Sequence, residues 1–189
     1  MKYIVSKHCG FCSGVKRAVE SAYKNAGENT VTYGELIHNK IVVDKLAEKG
    51  VTAVNDISQC IGKKVIVRSH GAGKDFFDKA SALGIEVIDA TCPFVKKIHD
   101  IVYRHYIDGY HIAIIGKAGH PEVEGTNGWC ENTASIVDDE KAAEALVHFE
   151  RVCFVTQTTY LLEKYLRILK KIRKLPFKTV EIFNTICYT

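Results

Sequence analysis

The chain has 189 residues, 47% of them hydrophobic and 25% charged, which excludes a disordered or fibrous protein and leaves room for one large domain or two compact ones. A net charge of +4 favours anionic ligands but does not call for nucleic acid. No apolar run approaches the roughly 20 residues that span a bilayer, and the opening MKYIVSKHCGFC has neither a signal-peptide core nor a cleavage site, so a cytoplasmic chain without a membrane partner is expected.

A β-branched run predicts a strand over Tyr3–Val5, and the stripe of Val15, Ala18, Val19 and Ala22 predicts a helix after it. Val42, Val43, Leu46 and Ala47 form a second helical stripe. Strands are predicted over Val65–Val67 and Val87–Ile88, then a helix carrying Ile98, Ile101, Val102 and His105. Two more strands, Ile112–Ile115 and Val152–Val155, precede a helix with Leu161, Tyr165, Ile168, Leu169, Ile172 and Leu175 on one face. A last strand covers Val180–Phe183. Strands alternating with helices argue for an α/β fold of parallel sheets.

The unusual residues cluster just after these strands, in HCGFCSG, RSHGAG, DATCP, GKAGHPEVEG, TQTT and NTICYT. Open parallel sheets bind ligands at the carboxyl ends of their strands, so six such loops predict one shared pocket.

Seven cysteines in a cytosolic chain point to metal or thiol chemistry rather than disulfides. Cys12, Cys92 and Cys187 each lie in one of the loops. Cys12 has Gly10 and Gly14 beside it, and Cys92 precedes Pro93, the start of a helix whose dipole favours a thiolate. Three thiolates can hold three irons of a cubane and leave the fourth open to a substrate oxygen. Burial in the core is the plain alternative for all three. Cys9 and Cys12 spell CGFC, so a thiol–disulfide redox protein is a competing reading. A zinc site is weakly indicated because no second CxxC occurs. Cys60, Cys130 and Cys153 read as structural.

His38, His70 and His120 lie in loops, two of them beside glycine, and suit a diphosphate. Neither a Walker loop nor GxGxxG is present, which disfavours ATP and NAD. Glu122, in a water-poor pocket, would have a raised pKa and could deliver a proton; a first-turn helix carboxylate is the alternative. Glu124 reads as solvated. Thr158 and Thr159 offer hydroxyls to a ligand or a helix cap. His8, His99, His105, His111 and His148 read as surface or core. The basic stretch Glu163–Lys174 reads as the wet face of a helix, with docking of an acidic electron donor as a second possibility.

In order along the chain, GFCSGV, LIHNK, SHGAG, DATCPFV, AGHPEVEGT, TQTT and ICYT resemble the LytB/IspH family of 4-hydroxy-3-methylbut-2-enyl diphosphate reductases, over essentially its whole length. The resemblance implies an oxidoreductase of the non-mevalonate isoprenoid pathway, which removes an allylic hydroxyl to give isopentenyl and dimethylallyl diphosphate. It implies one 4Fe-4S cluster held by Cys12, Cys92 and Cys187, with His38, His70, His120 and Thr158 binding substrate and Glu122 delivering protons. Ferredoxin or flavodoxin would supply electrons. The family's fold is a trefoil of three small α/β lobes around the cluster. Two of them are expected here, over residues 1–91 and 92–186, with 187–189 beginning a third that is absent. On that expectation the chain is a fragment, and a non-catalytic diphosphate-binding fragment is a further alternative. Cys9 is outside the family's ligand pattern.

Overall fold

The computed structural model of the chain describes residues 3–4 and 9–188. It contains two four-stranded parallel sheets. The first is built from β1 (Thr30–Tyr33), β2 (Thr52–Val54), β3 (Lys64–Val67) and β4 (Glu86–Asp89) in the order β2-β1-β3-β4. The second is built from β5 (His111–Ile115), β6 (Ser135–Val137), β7 (Arg151–Thr156) and β8 (Thr179–Ile182) in the order β6-β5-β7-β8. The two orders are the same, so the chain repeats one topology with different residues. Helices α1 (Ser13–Lys24), α2 (Lys40–Ala47), α3 (Lys74–Ala82) and α4 (Pro93–Ile107) accompany the first sheet or lead out of it. Helices α5 (Pro121–Asn127), α6 (Glu140–Glu144) and α7 (Leu162–Ile172) accompany the second.

Local sequence explains the elements. Asn39 caps α2 by accepting the Val42 N–H at 3.2 Å, and Asp139 caps α6 by accepting that of Ala142 at 2.7 Å. Pro93 and Pro121 open α4 and α5, where a missing N–H costs nothing. Helix α7 buries Tyr165, Ile168 and Ile172 against Phe154 and Val152 of β7. Each such side chain contributes on the order of 1.5–3 kcal/mol. Strands β3, β5 and β7 are almost wholly buried, as strands covered on both faces must be. Cys60, Cys130 and Cys153 are fully buried in these cores, and burial pushes the Cys153 thiol up to about 12. Across the two units, Trp129 Nε1 donates to the Ala72 carbonyl at 3.0 Å; within the first, the Cys92 N–H donates to the Ser69 carbonyl at 2.9 Å.

The expected strand at Tyr3–Val5 requires correction. Tyr3 and Ile4 lie outside any strand, 82% and 98% exposed, and Val5 lies outside the described residues, as does His8. A β-branched run makes a strand only where a sheet edge receives it. The CGFC segment therefore does not follow a described strand; Cys12 stands directly at the start of α1. Three strands had no counterpart among the sequence predictions: β1, β2 and β6. Phe183 lies just past β8, its N–H bonded to the Phe154 carbonyl at 2.8 Å. Among the described residues no helix is long and apolar enough to cross a membrane.

Candidate functional site

In a sheet of order 2-1-3-4 the chain leaves the first and third strands in opposite directions, and a crevice opens at their carboxyl ends. Each sheet places its chemistry there. His38 follows β1 and His70 follows β3; His120 follows β5 and Thr158 follows β7. Cys92 follows β4 and Cys187 follows β8, so each unit also sends a thiol out of its last strand.

These ends meet at a cavity of about 160 Å³ whose wall includes Cys12, Cys92, Cys187, His70, Glu122 and Thr158. Ser69 and Thr159 add hydroxyls, and Val15, Phe94 and Val95 add apolar surface. A larger open groove of about 580 Å³ lies at the opposite, amino ends of β1, β3 and β4, lined by residues such as Asn29, Lys64 and Glu86; it has no histidine or cysteine in its wall. The conspicuous side chains gather at the smaller cavity.

Cys12 and Cys92 are the N-cap residues of α1 and α4, and neither side chain bonds its own helix. Their thiols thus stand at two helix N-termini, whose positive ends favour anions. The packing is close. A Cβ at Gly14 would lie 2.6 Å from Cys92 Sγ, so only glycine lets α1 approach that thiol. The DATCP turn is held by Asp89, which accepts the Thr91 N–H at 3.0 Å and pairs with Lys96 at 2.5 Å. Cys187 arrives on a segment that runs beside the end of β7. Its N–H donates to the Thr158 carbonyl at 2.7 Å, and the Thr185 hydroxyl accepts the Thr156 N–H at 2.8 Å.

Glu122 is 2% exposed. Its Oε1 accepts the Thr158 N–H at 2.6 Å and its Oε2 accepts the Thr158 hydroxyl at 2.6 Å. Burial raises its pKa, and the two bonds from Thr158 oppose that rise without cancelling it. The carboxyl is therefore biased toward the protonated form that a proton donor needs.

The rings of His38, His70 and His120 form a triangle, with centroids 4.7, 5.7 and 6.2 Å apart. Burial, then His38, Arg68 and His120, hold His70 down to about 4. Burial first and His38 next also lower His120. His120 Nδ1 accepts the Glu122 N–H at 3.2 Å, so a neutral His120 carries its proton on Nε2. His70 Nδ1 is buried with no hydrogen-bond partner among the described residues. Such an orphan is expected where a ligand completes a site.

Six of the eight residues singled out by sequence line the cavity, and the other two, His38 and His120, stand against one of those six, His70. Cys9 is exposed and is not part of that wall. Ser69, only 6% exposed, was overlooked although it lies inside RSHGAG. Gln157 was also missed. Its amide accepts the Lys117 N–H at 3.0 Å and donates to the Thr159 hydroxyl at 2.9 Å, bracing TQTT to the GKAGHP loop. On α7, Arg167 pairs with Glu140 at 3.9 Å and Lys171 with Glu144, which neutralises part of the basic face. Among the described residues no three His, Cys, Asp or Glu side chains could hold one metal ion between them. The three thiols surround a space and do not converge on a point.

A model of the family described as LytB protein matches residues 3–189. The 4-hydroxy-3-methylbut-2-enyl diphosphate reductase of Thermoanaerobacter sp. (strain X514) is 45% identical, with 99% of this chain and 67% of that protein aligned. The protein of the same name from Clostridioides difficile is 42% identical over 99% of this chain and 69% of its own length. Among solved structures, the (E)-1-hydroxy-2-methyl-but-2-enyl-4-diphosphate reductase of Plasmodium falciparum superposes with a TM-score of 0.85 at 30% identity, covering 96% of this chain and 59% of that one. A second, (E)-4-hydroxy-3-methyl-but-2-enyl diphosphate reductase, the terminal enzyme of the non-mevalonate pathway, gives 0.80 at 38% identity, covering 97% and 67%.

Proposed function

The chain belongs to the LytB family, and from that premise we propose that its cavity reductively removes the allylic hydroxyl of 4-hydroxy-3-methylbut-2-enyl diphosphate, giving isopentenyl and dimethylallyl diphosphate. The reaction breaks a C–O bond, forms a C–H bond, consumes two electrons and two protons, and releases water. The observation that carries the reading is one cavity with three thiols, a buried carboxyl and a histidine in its wall. Residues 1–91 and 92–186 are the two lobes that build it.

The donor set fits an iron–sulfur cluster better than a lone ion, because the thiols surround a space and two of them stand at helix N-termini. Cys12, Cys92 and Cys187 would hold a 4Fe-4S cluster with one open iron. When bound, the cluster supplies the electrons and a Lewis-acidic seat for the leaving hydroxyl.

The rest is the work of the chain's own residues. His38, His70 and His120 bind the diphosphate, His70 and His120 as neutral donors. Glu122 holds a proton at a carboxyl kept up by burial, and Thr158 keeps that carboxyl aimed through two hydrogen bonds. Val15, Phe94 and Val95 give the cavity an apolar side for the carbon skeleton of the substrate. Electrons come from ferredoxin or flavodoxin.

The test is anaerobic reconstitution with iron and sulfide, followed by turnover with a reduced viologen dye. Brown protein with about four irons and four sulfides per chain, and water-forming consumption of the allylic alcohol, are expected. Colourless protein after reconstitution would overturn the reading.

A further inference from the structure

Arg68 is a permanent cation in an unusual position. It follows β3 directly, is partly buried, and makes a long contact from Nε to the Gly71 carbonyl at 3.5 Å. That is beyond the ordinary range of an N–H···O bond. Among the described residues no carboxylate pairs with it. Burial pulls its pKa down, and the group that opposes this is the Tyr33 phenol, which burial keeps uncharged near neutral pH. An arginine drawn partly out of water without a counterion is costly, and the cost is recovered when an anion arrives.

The surroundings are shaped to hold the guanidinium. Gly34, in the turn after β1, has φ +72°, and a Cβ there would lie 2.6 Å from Arg68 Nη1 and 3.1 Å from Cζ. The turn therefore gives up a side chain where the guanidinium lies. His70, two residues on, stands in the histidine triangle, and the positive field of Arg68 reaches both His70 and His120. His70 and His120, both held below the usual histidine range by burial, carry little charge for a multiply charged anion. Arg68 supplies it, in a planar fork that matches phosphate oxygens.

We propose that Arg68 is a further substrate-binding residue, donating from its guanidinium to the non-bridging oxygens of the diphosphate beside His38, His70 and His120. The proposal rests on the diphosphate reading of the site.

Its test is calorimetric titration of the reconstituted protein with inorganic diphosphate. Arg68→Gln is expected to weaken binding about 10- to 100-fold, and Arg68→Lys to recover part of the loss, with the thermal unfolding of both variants close to that of the parent. A second measurement needs no variant: diphosphate should slow modification of Arg68 by phenylglyoxal, read by mass spectrometry on the native chain. Undiminished affinity in Arg68→Gln, or a modification rate unchanged by diphosphate, overturns the inference and leaves the diphosphate reading standing. Failure of the parent protein to bind diphosphate overturns that reading itself.

Discussion

The Thr158 hydroxyl meets one oxygen of the Glu122 carboxyl group at 2.6 Å while the N–H of the same threonine meets the other oxygen at 2.6 Å. One residue thus fixes both ends of a buried acid, and the acid has no rotational freedom left to lose when substrate binds. The geometry also predicts what a neutral replacement can do. In Glu122→Gln, the amide oxygen can keep the backbone N–H and the amide nitrogen can donate to the hydroxyl, which is free to turn. We expect that variant to keep its fold and its cluster and to lose activity by about 10²- to 10⁴-fold. Turnover rates and the visible spectrum, measured together, check this.

The three thiols are predicted to act as a set. Cys12→Ser, Cys92→Ser and Cys187→Ser should each lose most of the brown colour and iron after reconstitution. Cys153→Ala should retain both, because that thiol is buried inside β7. Iron and sulfide content decides the matter. Cys9→Ala should leave colour and turnover unchanged, which separates this site from a CGFC redox pair.

Gly14→Ala offers a sharper probe. Alanine within a helix usually stabilises by about 0.5–1 kcal/mol relative to glycine, which offsets the crowding of one movable thiol, so the cluster-free chain should unfold close to its parent. The added methyl would lie 2.6 Å from Cys92 Sγ and should displace that thiol. Lower iron content at little-changed cluster-free stability is the expected pair of results, read by metal analysis and urea titration.

Acid should weaken the fold through buried histidines. Burial, the main cause for each, holds His70 and His99 down to about 4 from an ordinary 6.5. As pH falls, the unfolded chain takes up these protons before the folded chain does, so stability is complete above about pH 7 and is lost between pH 6.5 and 4. Each histidine accounts for roughly 3 kcal/mol across that window. Urea midpoints at pH 7.5 and 5 should show the drop, and His99→Leu should shrink it.

Much of the site was legible because its residues are chemically conspicuous and sit after apolar runs. His70, Cys92, Glu122 and Thr158 all follow strands whose β-branched cores, such as Val65–Val67 and Ile112–Ile115, stand out. Strand β1 was missed for a physical reason. Thr30 and Thr32 fill core positions usually taken by apolar residues, with the Thr30 hydroxyl satisfied by the Asn25 carbonyl at 2.7 Å. Strands β2 and β6 are three-residue edges; β2 hides little surface, and in β6 only Val137 is fully buried. The repeated strand order was invisible because the two units share a path and not a pattern of side chains. Arg68 and Gly34 escaped notice since their partnership spans two strands and appears only in space.

The segment carrying Cys187 is stitched to the end of β7 through Phe183, Thr185 and Cys187 itself. That attachment sets a chronology. A growing chain presents Cys12 and Cys92 early, yet the seam that receives Cys187 exists only after β7 has taken its place in the second sheet. On the proposed cluster reading, loading would then wait on folding: a chain whose second sheet is unformed offers too few of the three thiols to trap iron, and the folded chain offers them together.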